Sequence, residues 1–167
     1  MVERYWAMMT DKHFDLVYLG LHHHRNVLIE RWLDIILAVT STGALGALII
    51  CDEMQIVLTI VLAITQVITS ARPYMPFHNR MDALDKGISQ LNVLYNKIES
   101  KWNQIATGKM DDEEINRLYY EVQKEWEEIE SKILKKDSLP RKSKFIERAN
   151  EENEKYFNVI FGGNAND

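Results

Sequence analysis

The chain has 167 residues, a formal net charge of −5 and a single cysteine, Cys51. The negative charge argues against a nucleic-acid binder that relies on a broad basic surface. One cysteine excludes an intramolecular disulfide and a cysteine-rich metal site. Mean hydropathy is −0.28, yet two long uncharged runs lie in the middle of the chain, so the apolar residues are concentrated in one region.

Residues 1–31 predict an amphipathic helix on the cytoplasmic side of a membrane, with a break near Gly20 as an option. Because these residues are mostly polar, no cleavable signal peptide is expected. The run His22, His23 and His24 invites a metal interpretation. Consecutive helix positions point about 100° apart, so the three imidazoles cannot all bind one ion. We expect no metal there, and an interfacial polar patch that becomes cationic in mild acid.

Two apolar runs, residues 32–50 and 54–71, flank the short link 51–53. A bilayer core needs about 20 apolar residues in a helix, and both runs approach that length. Each run has an uncharged interior, whereas long helices of soluble proteins usually carry charges on their outer face. The sequence therefore predicts a two-pass transmembrane hairpin over residues 32–71. The alternative is a soluble bundle with two buried helices.

The basic residues predict the orientation of the hairpin. Arg25 and Arg31 precede the first run, while Arg72 and Arg80 follow the second, and the link 51–53 carries no lysine or arginine. By the positive-inside rule both termini lie in the cytoplasm.

Small residues follow helical spacing in the first crossing, and such ridges let helix backbones approach closely in a bilayer. The helix-packing residues are Ala38, Thr42, Gly43, Gly46 and Ala47. They serve either the two helices of one chain or the contact between protomers. Asp34 lies near the start of the crossing, where a carboxylate can reach interfacial water. It is either a residue that extends to the interface or part of a pore mouth.

The second crossing carries a polar stripe with steps of 4, 3, 4 and 3 residues. Its members, the predicted pore-lining residues, are Gln55, Thr59, Leu62, Gln66 and Thr69. Polar groups in hydrocarbon are costly unless they are hydrated or bonded to a partner. One chain with two crossings cannot enclose water, so a hydrated stripe predicts several chains around an axis, with Leu62 as a hydrophobic constriction. A dry helix interface is the alternative.

Residues 78–161 predict a cytoplasmic helical coiled-coil domain, followed by a disordered tail over 162–167. A heptad seam of apolar residues extends from Leu84 to Ile105, and Gly108 is expected to end this helix. Asp111 and Glu114 have the spacing of a capping box and open a second helix that extends to about residue 136. The two helices are expected to pair antiparallel, with a closing helix over about 142–161 folded back onto them.

A basic cluster surrounds the break before the closing helix, and it could meet anionic lipid headgroups or a phosphate-bearing ligand. Its members are Lys135, Lys136, Arg141, Lys142, Lys144 and Arg148. A solvated helix junction is the alternative. No phosphate-binding glycine loop, nucleophile elbow or zinc-binding helix motif occurs, so we expect neither an enzyme nor a cofactor.

The order of these features resembles the SLATT proteins, the SMODS- and SLOG-associating two-transmembrane effector domains of bacteria. The segments that carry the resemblance are HHHRNVLIERW (22–32), LNVLYNKIESKW (91–102), MDDEEI (110–115) and ANEENEKYF (149–157). The resemblance implies an all-α membrane effector of a conflict system that opens pores in the bacterial inner membrane. It also implies a nucleotide second messenger or a nucleotide-sensing protein as a partner. It gives no ligand-binding residue.

Overall fold

The protein is all-α. The structure, a computed structural model, describes residues 1–47, 55–71, 77–134 and 140–162, and every regular element in these ranges is an α-helix. The helices are α1 (Val2–Ala47), α2 (Gln55–Ala71), α3 (Phe77–Ala106), α4 (Asp112–Leu134) and α5 (Ser143–Ile160). The predicted fold class is confirmed at this level.

The chain divides into two compact units. The terminal unit contains Met1–His23 and Asp82–Asp167, and the central unit contains His24–Met81. The first 23 residues therefore share a unit with the last three helices, whereas the sequence pattern predicts a separate N-terminal segment over residues 1–31. Helix α1 contributes to both units, since it extends over 46 residues.

The terminal unit holds the hydrophobic core. The predicted seam of α3 is buried or packed against this core along its whole length, from Leu84 to Ile105, and so is the inner face of α4 from Ile115 to Ile133. Near the start of α3, Gly87 lies against Ile133 at the end of α4. Further along, the Lys97 ammonium lies 3.2 Å from a carboxylate oxygen of Glu121. These contacts confirm the antiparallel pairing of α3 and α4.

The start of α1 completes this core. Its buried side chains are Tyr5, Met8, Met9, Leu16 and Leu19. The buried Tyr5 hydroxyl donates a hydrogen bond to the Ile98 carbonyl oxygen of α3 at 3.2 Å, and burial raises the pKa of Tyr5. Helix α5 also packs here, because Trp6 contacts the ring of Phe157 at a centroid distance of 5.2 Å. The terminal unit is therefore built from α3, α4, α5 and the first half of α1.

The connection between α3 and α4 forms as the sequence predicts. Gly108 has a φ of +66°, and its amide donates to the Ile105 carbonyl oxygen at 3.0 Å. In the capping box, the Glu114 amide donates to the Asp111 carboxylate at 2.8 Å, and the Asp111 amide donates to the Glu114 carboxylate at 3.2 Å. These reciprocal bonds satisfy amides that the first turn of a helix leaves without partners.

The predicted option of a helix break near Gly20 is wrong, because α1 continues through this position. A glycine in a helix interior costs only about 0.5–1 kcal/mol relative to alanine. Burial of the neighbouring Leu16 and Leu19 in the core is sufficient to offset that cost.

Candidate membrane-active surface of the central unit

The second half of α1 exposes large apolar side chains along one side. Trp32 is 63% exposed and Val39 is 65% exposed. Leu28, Ile35 and Ile36 are also exposed. The positions 28, 32, 35 and 39 follow steps of 4, 3 and 4, so they share one face of the helix. We call Leu28, Trp32, Ile35, Ile36 and Val39 the α1 apolar stripe.

Helix α2 carries a second exposed apolar stripe. Ile56 is 76% exposed and Val67 is 67% exposed. Ile60 and Ile64 are exposed to a similar degree. At 3.6 residues per turn these four positions fall within an arc of about 80°. We call Ile56, Ile60, Ile64 and Val67 the α2 apolar stripe.

The predicted polar stripe lies on a different side of α2. Thr59, Leu62, Gln66 and Thr69 are all exposed, whereas Val61, Thr65 and Ile68 are partly buried. The stripe covers an arc of about 80°, and its centre is about 140° around the helix from the α2 apolar stripe. Helix α2 therefore separates a polar face from an apolar face, and both are open in the single chain. Gln55 is the first residue of α2, but its side chain lies outside the described residues.

Threonine hydroxyls of this unit bond to their own helix. Thr69 donates to the Thr65 carbonyl oxygen at 2.8 Å, and Thr65 donates to the Val61 carbonyl oxygen at 2.8 Å. Thr40 of α1 donates in the same way to Ile36. Such a hydroxyl is satisfied without water. The side-chain amide of Gln66, which has two hydrogen-bond donors and an acceptor oxygen, is therefore the main polar group of the stripe.

The other predicted residues of the first crossing lie on α1. Asp34 and Ala38 are exposed. Thr42, Gly43, Gly46 and Ala47 belong to the described helix, but their side-chain environments lie outside the described residues. The structure therefore places the ridge on a helix and leaves its packing partners open.

Across residues 1–47, 55–71, 77–134 and 140–162, no helix combines the length and the apolar character that a membrane crossing requires. The end of the first predicted crossing and the link 51–53 lie outside these ranges.

The basic cluster does not converge on one site within the described residues. The Arg148 guanidinium lies 2.9 Å from the Glu152 carboxylate, one turn along α5. The Lys142 ammonium lies 5.6 Å from the centre of the Phe145 ring. Lys144 is exposed, and Lys135 and Lys136 lie outside the described residues.

Arg141 lines a cavity of about 440 Å³ in the terminal unit. The same cavity includes the carboxylates of Asp15 and Glu130 and the ring of Tyr18. Burial raises the pKa of Asp15, with the nearby Lys12 acting in the opposite direction. Two carboxylates beside one guanidinium do not favour a phosphate, so this cavity does not support the phosphate-ligand alternative.

The three histidines point to different surroundings. His22 is buried, with its ring 4.8 Å from those of Tyr18 and Phe145. The His23 Nε2 atom lies 3.7 Å from the Asp85 carboxylate, and His24 is exposed. In the described part of the chain, no three His, Cys, Asp or Glu side chains come together to hold a metal ion.

The α2 apolar stripe was not predicted from the sequence, where only the polar residues of the second run were assigned to one side of the helix. The 4-4-3 spacing of Ile56, Ile60, Ile64 and Val67 was the signal that could have found it. No family model, no curated protein and no solved structure matches the chain.

Proposed function

We propose that the chain is a homo-oligomeric, pore- or channel-forming membrane effector. The observation that supports it is the apolar surface of the central unit. Nine large apolar side chains on α1 and α2 are between 41% and 76% exposed in the single chain. Apolar area gains about 25 cal/mol per Å² when it leaves water. Stripes of exposed apolar side chains along a helix usually mark contact with a membrane or another protein.

The separation of faces on α2 supports a pore over a simple anchor. In the proposed assembly the α2 apolar stripe meets lipid, and the polar stripe of Thr59, Leu62, Gln66 and Thr69 faces a water-filled axis. Several protomers are needed to surround that axis. The α1 apolar stripe and the small residues from Ala38 to Ala47 pack between helices, and Asp34 lies at the pore mouth.

The resemblance to SLATT proteins supplies the biological setting of the proposal. The chain acts in the bacterial inner membrane with both termini in the cytoplasm, and it permeabilises that membrane during a conflict response. A nucleotide second messenger, or a protein that senses one, supplies the signal. In the proposed assembly the terminal unit, which holds the packed core of the described chain, sets oligomerisation and gating.

The test is ion flux from liposomes that hold the purified protein, together with its mass in detergent. We expect a discrete oligomer and measurable flux. Gln66→Leu should lower the flux because it removes the main polar group of the stripe. Ile64→Leu, two residues away on the apolar stripe, is the matched control and should leave the flux unchanged. Equal flux from both variants would contradict the lining assignment.

A non-conducting membrane scaffold is the second candidate. The observation in its favour is that the Thr69 hydroxyl bonds to the backbone of its own helix. The stripe then needs less water and could form a dry contact between protomers. In this case a discrete oligomer forms without flux, and Gln66→Leu changes its mass instead.

A further inference from the structure

A cavity of about 430 Å³ opens at one end of the terminal unit. It lies between the first turns of α1, the last part of α3 and the residue after α5. The lining side chains are Val2, Glu3, Trp6, Trp102 and Phe161. Three of these five residues carry large aromatic rings.

The three rings are arranged around Trp6. The ring centre of Trp102 lies 4.8 Å from that of Trp6, with an angle of 48° between the planes. Phe161 lies 5.2 Å from Trp6 on an almost perpendicular plane. Because the planes differ, the cavity walls include aromatic surface of more than one orientation. All three side chains are only partly buried, so part of each ring is open to a ligand.

The one charged side chain in the lining that the structure describes is the carboxylate of Glu3, and the nearby Met1 ammonium lies 3.6 Å from the Asp112 carboxylate. Glu3 precedes Trp6 by three residues on α1, so both side chains lie on one side of the helix. The lining that the structure describes contains no lysine, arginine or histidine. Aromatic faces are also electronegative, because the ring quadrupole places negative potential above the plane. The carboxylate and the rings thus favour the same kind of ligand, a cation with apolar surface.

We propose that this cavity binds a small molecule that carries an alkylated ammonium group. Such a group is attracted to aromatic faces and is the usual ligand of aromatic cages. A primary ammonium is compact and strongly hydrated, so it loses more on entering an aromatic site. An anion is repelled by Glu3, and a neutral apolar molecule lacks the electrostatic attraction. The inference rests on the terminal unit alone and is independent of the pore.

The test is a titration of the full chain with choline, read by tryptophan fluorescence. The protein is held in a maltoside detergent, whose headgroups carry no ammonium group. A Trp32→Phe background removes the exposed indole of the central unit, so that Trp6 and Trp102 dominate the change. The neutral control ligand is 3,3-dimethylbutan-1-ol, which has the shape of choline without its charge.

We expect choline to change the fluorescence in a saturable way. The neutral alcohol should bind more weakly by about threefold to thirtyfold, which is the range that cation–π attraction covers. Glu3→Gln should weaken choline binding and leave the alcohol unchanged. Glu128→Gln, which removes an exposed carboxylate of α4 away from the cavity, should behave like the parent. Since Glu3 is itself exposed, its loss should not unfold the chain.

Three results would overturn the proposal: no saturable change with choline, equal binding of choline and the alcohol, or an unchanged choline affinity in Glu3→Gln. Glycerophosphocholine, the water-soluble headgroup of a choline lipid, separates two sources of the ligand. Binding equal to that of choline would admit lipid headgroups. Much weaker binding would restrict the site to free alkylammonium compounds.

Discussion

The two glycines inside the helices of the terminal unit should respond oppositely to the same substitution. At Gly20 of α1, an added Cβ would have no atom within 4 Å. Gly20→Ala should therefore stabilise the protein by about 0.5–1 kcal/mol, the helix preference of alanine over glycine. At Gly87 of α3, an added Cβ would overlap the Cγ1 and Cδ1 atoms of Ile133.

The overlap at Gly87 is difficult to relieve. Ile133 is only 4% exposed, and a β-branched side chain in a helix has one strongly preferred χ1 rotamer. Overpacking of a filled core typically costs about 1–3 kcal/mol. This cost offsets or exceeds the gain from the helix preference of alanine. The Gly87→Ala protein should therefore be less stable than the Gly20→Ala protein by about 1–3 kcal/mol.

Urea unfolding followed by tryptophan fluorescence measures both variants, since Trp126 is buried in this unit. Ile133→Val removes one of the two obstructing atoms. Alone it should cost about 0.5–1.5 kcal/mol, whereas in the Gly87→Ala background it should cost less or restore stability, a coupling between contacting residues. Equal stabilisation by both alanine substitutions would refute the close approach of α3 and α4.

Three further predictions concern the terminal unit. Asp111→Ala should destabilise the protein by about 1 kcal/mol because it removes the cap of α4, while Asp111→Asn should retain most of the stability in urea unfolding; equal losses would contradict the capping bond. Tyr5→Phe should cost about 0.5–1.5 kcal/mol in the same assay, because it removes the buried hydrogen bond to Ile98; no loss would show that this bond contributes nothing. Burial raises the pKa of Asp15 above its ordinary 3.8, so its ionised form is disfavoured in the folded state. The resulting loss of folding stability is absent below pH 3.8 and grows as the pH rises through the pKa of Asp15 in the folded state. Asp15→Asn should therefore melt at a higher temperature than the parent at pH 7 and at the same temperature near pH 3, and a lower melting temperature at pH 7 would contradict the sign.

Local signals in the sequence predicted the junction between α3 and α4 in the terminal unit. The capping box of Asp111 and Glu114 and the stop at Gly108 depend on chemistry within a few residues, and both form. The heptad seam of α3 was also predictable, since it packs against the core along one side and its apolar residues repeat every seven positions. These features need no knowledge of the rest of the chain.

The role of the first 23 residues was not predictable in the same way. Apolar residues lie on several sides of this part of α1, because α3 and α4 cover one side and the aromatic end of α5 covers another. The buried face of this part spans about 100° around the helix, but Lys12 interrupts it. Further apolar side chains lie outside that arc and obscure it in the sequence: Trp6, Phe14, Val17 and Tyr18.

The polar stripe of α2 was predictable, and its position relative to the apolar stripe was not. The spacing alone placed Thr59, Gln66 and Thr69 on one side. The 4-4-3 spacing of the α2 apolar stripe marks a shared side of the helix, but whether that side is exposed depends on the packing of the central unit. The bond of the Thr69 hydroxyl to its own helix depends on its rotamer, which the spacing does not give.

The central claim is that the polar stripe of α2 lines a conducting path and the apolar stripe does not. Cysteine accessibility tests it most directly. The background is Cys51→Ser, which removes the one native thiol. Into it are placed Gln66→Cys on the polar stripe and, as the matched control, Ile60→Cys on the apolar stripe. Ion flux from liposomes is measured before and after a charged, membrane-impermeant thiol reagent.

We expect the reagent to block flux through the Gln66→Cys protein and to leave the Ile60→Cys protein unaffected, because in the proposed assembly only the former side chain faces water along the path. Block of both proteins to the same extent, or block of the Ile60→Cys protein alone, would contradict this assignment.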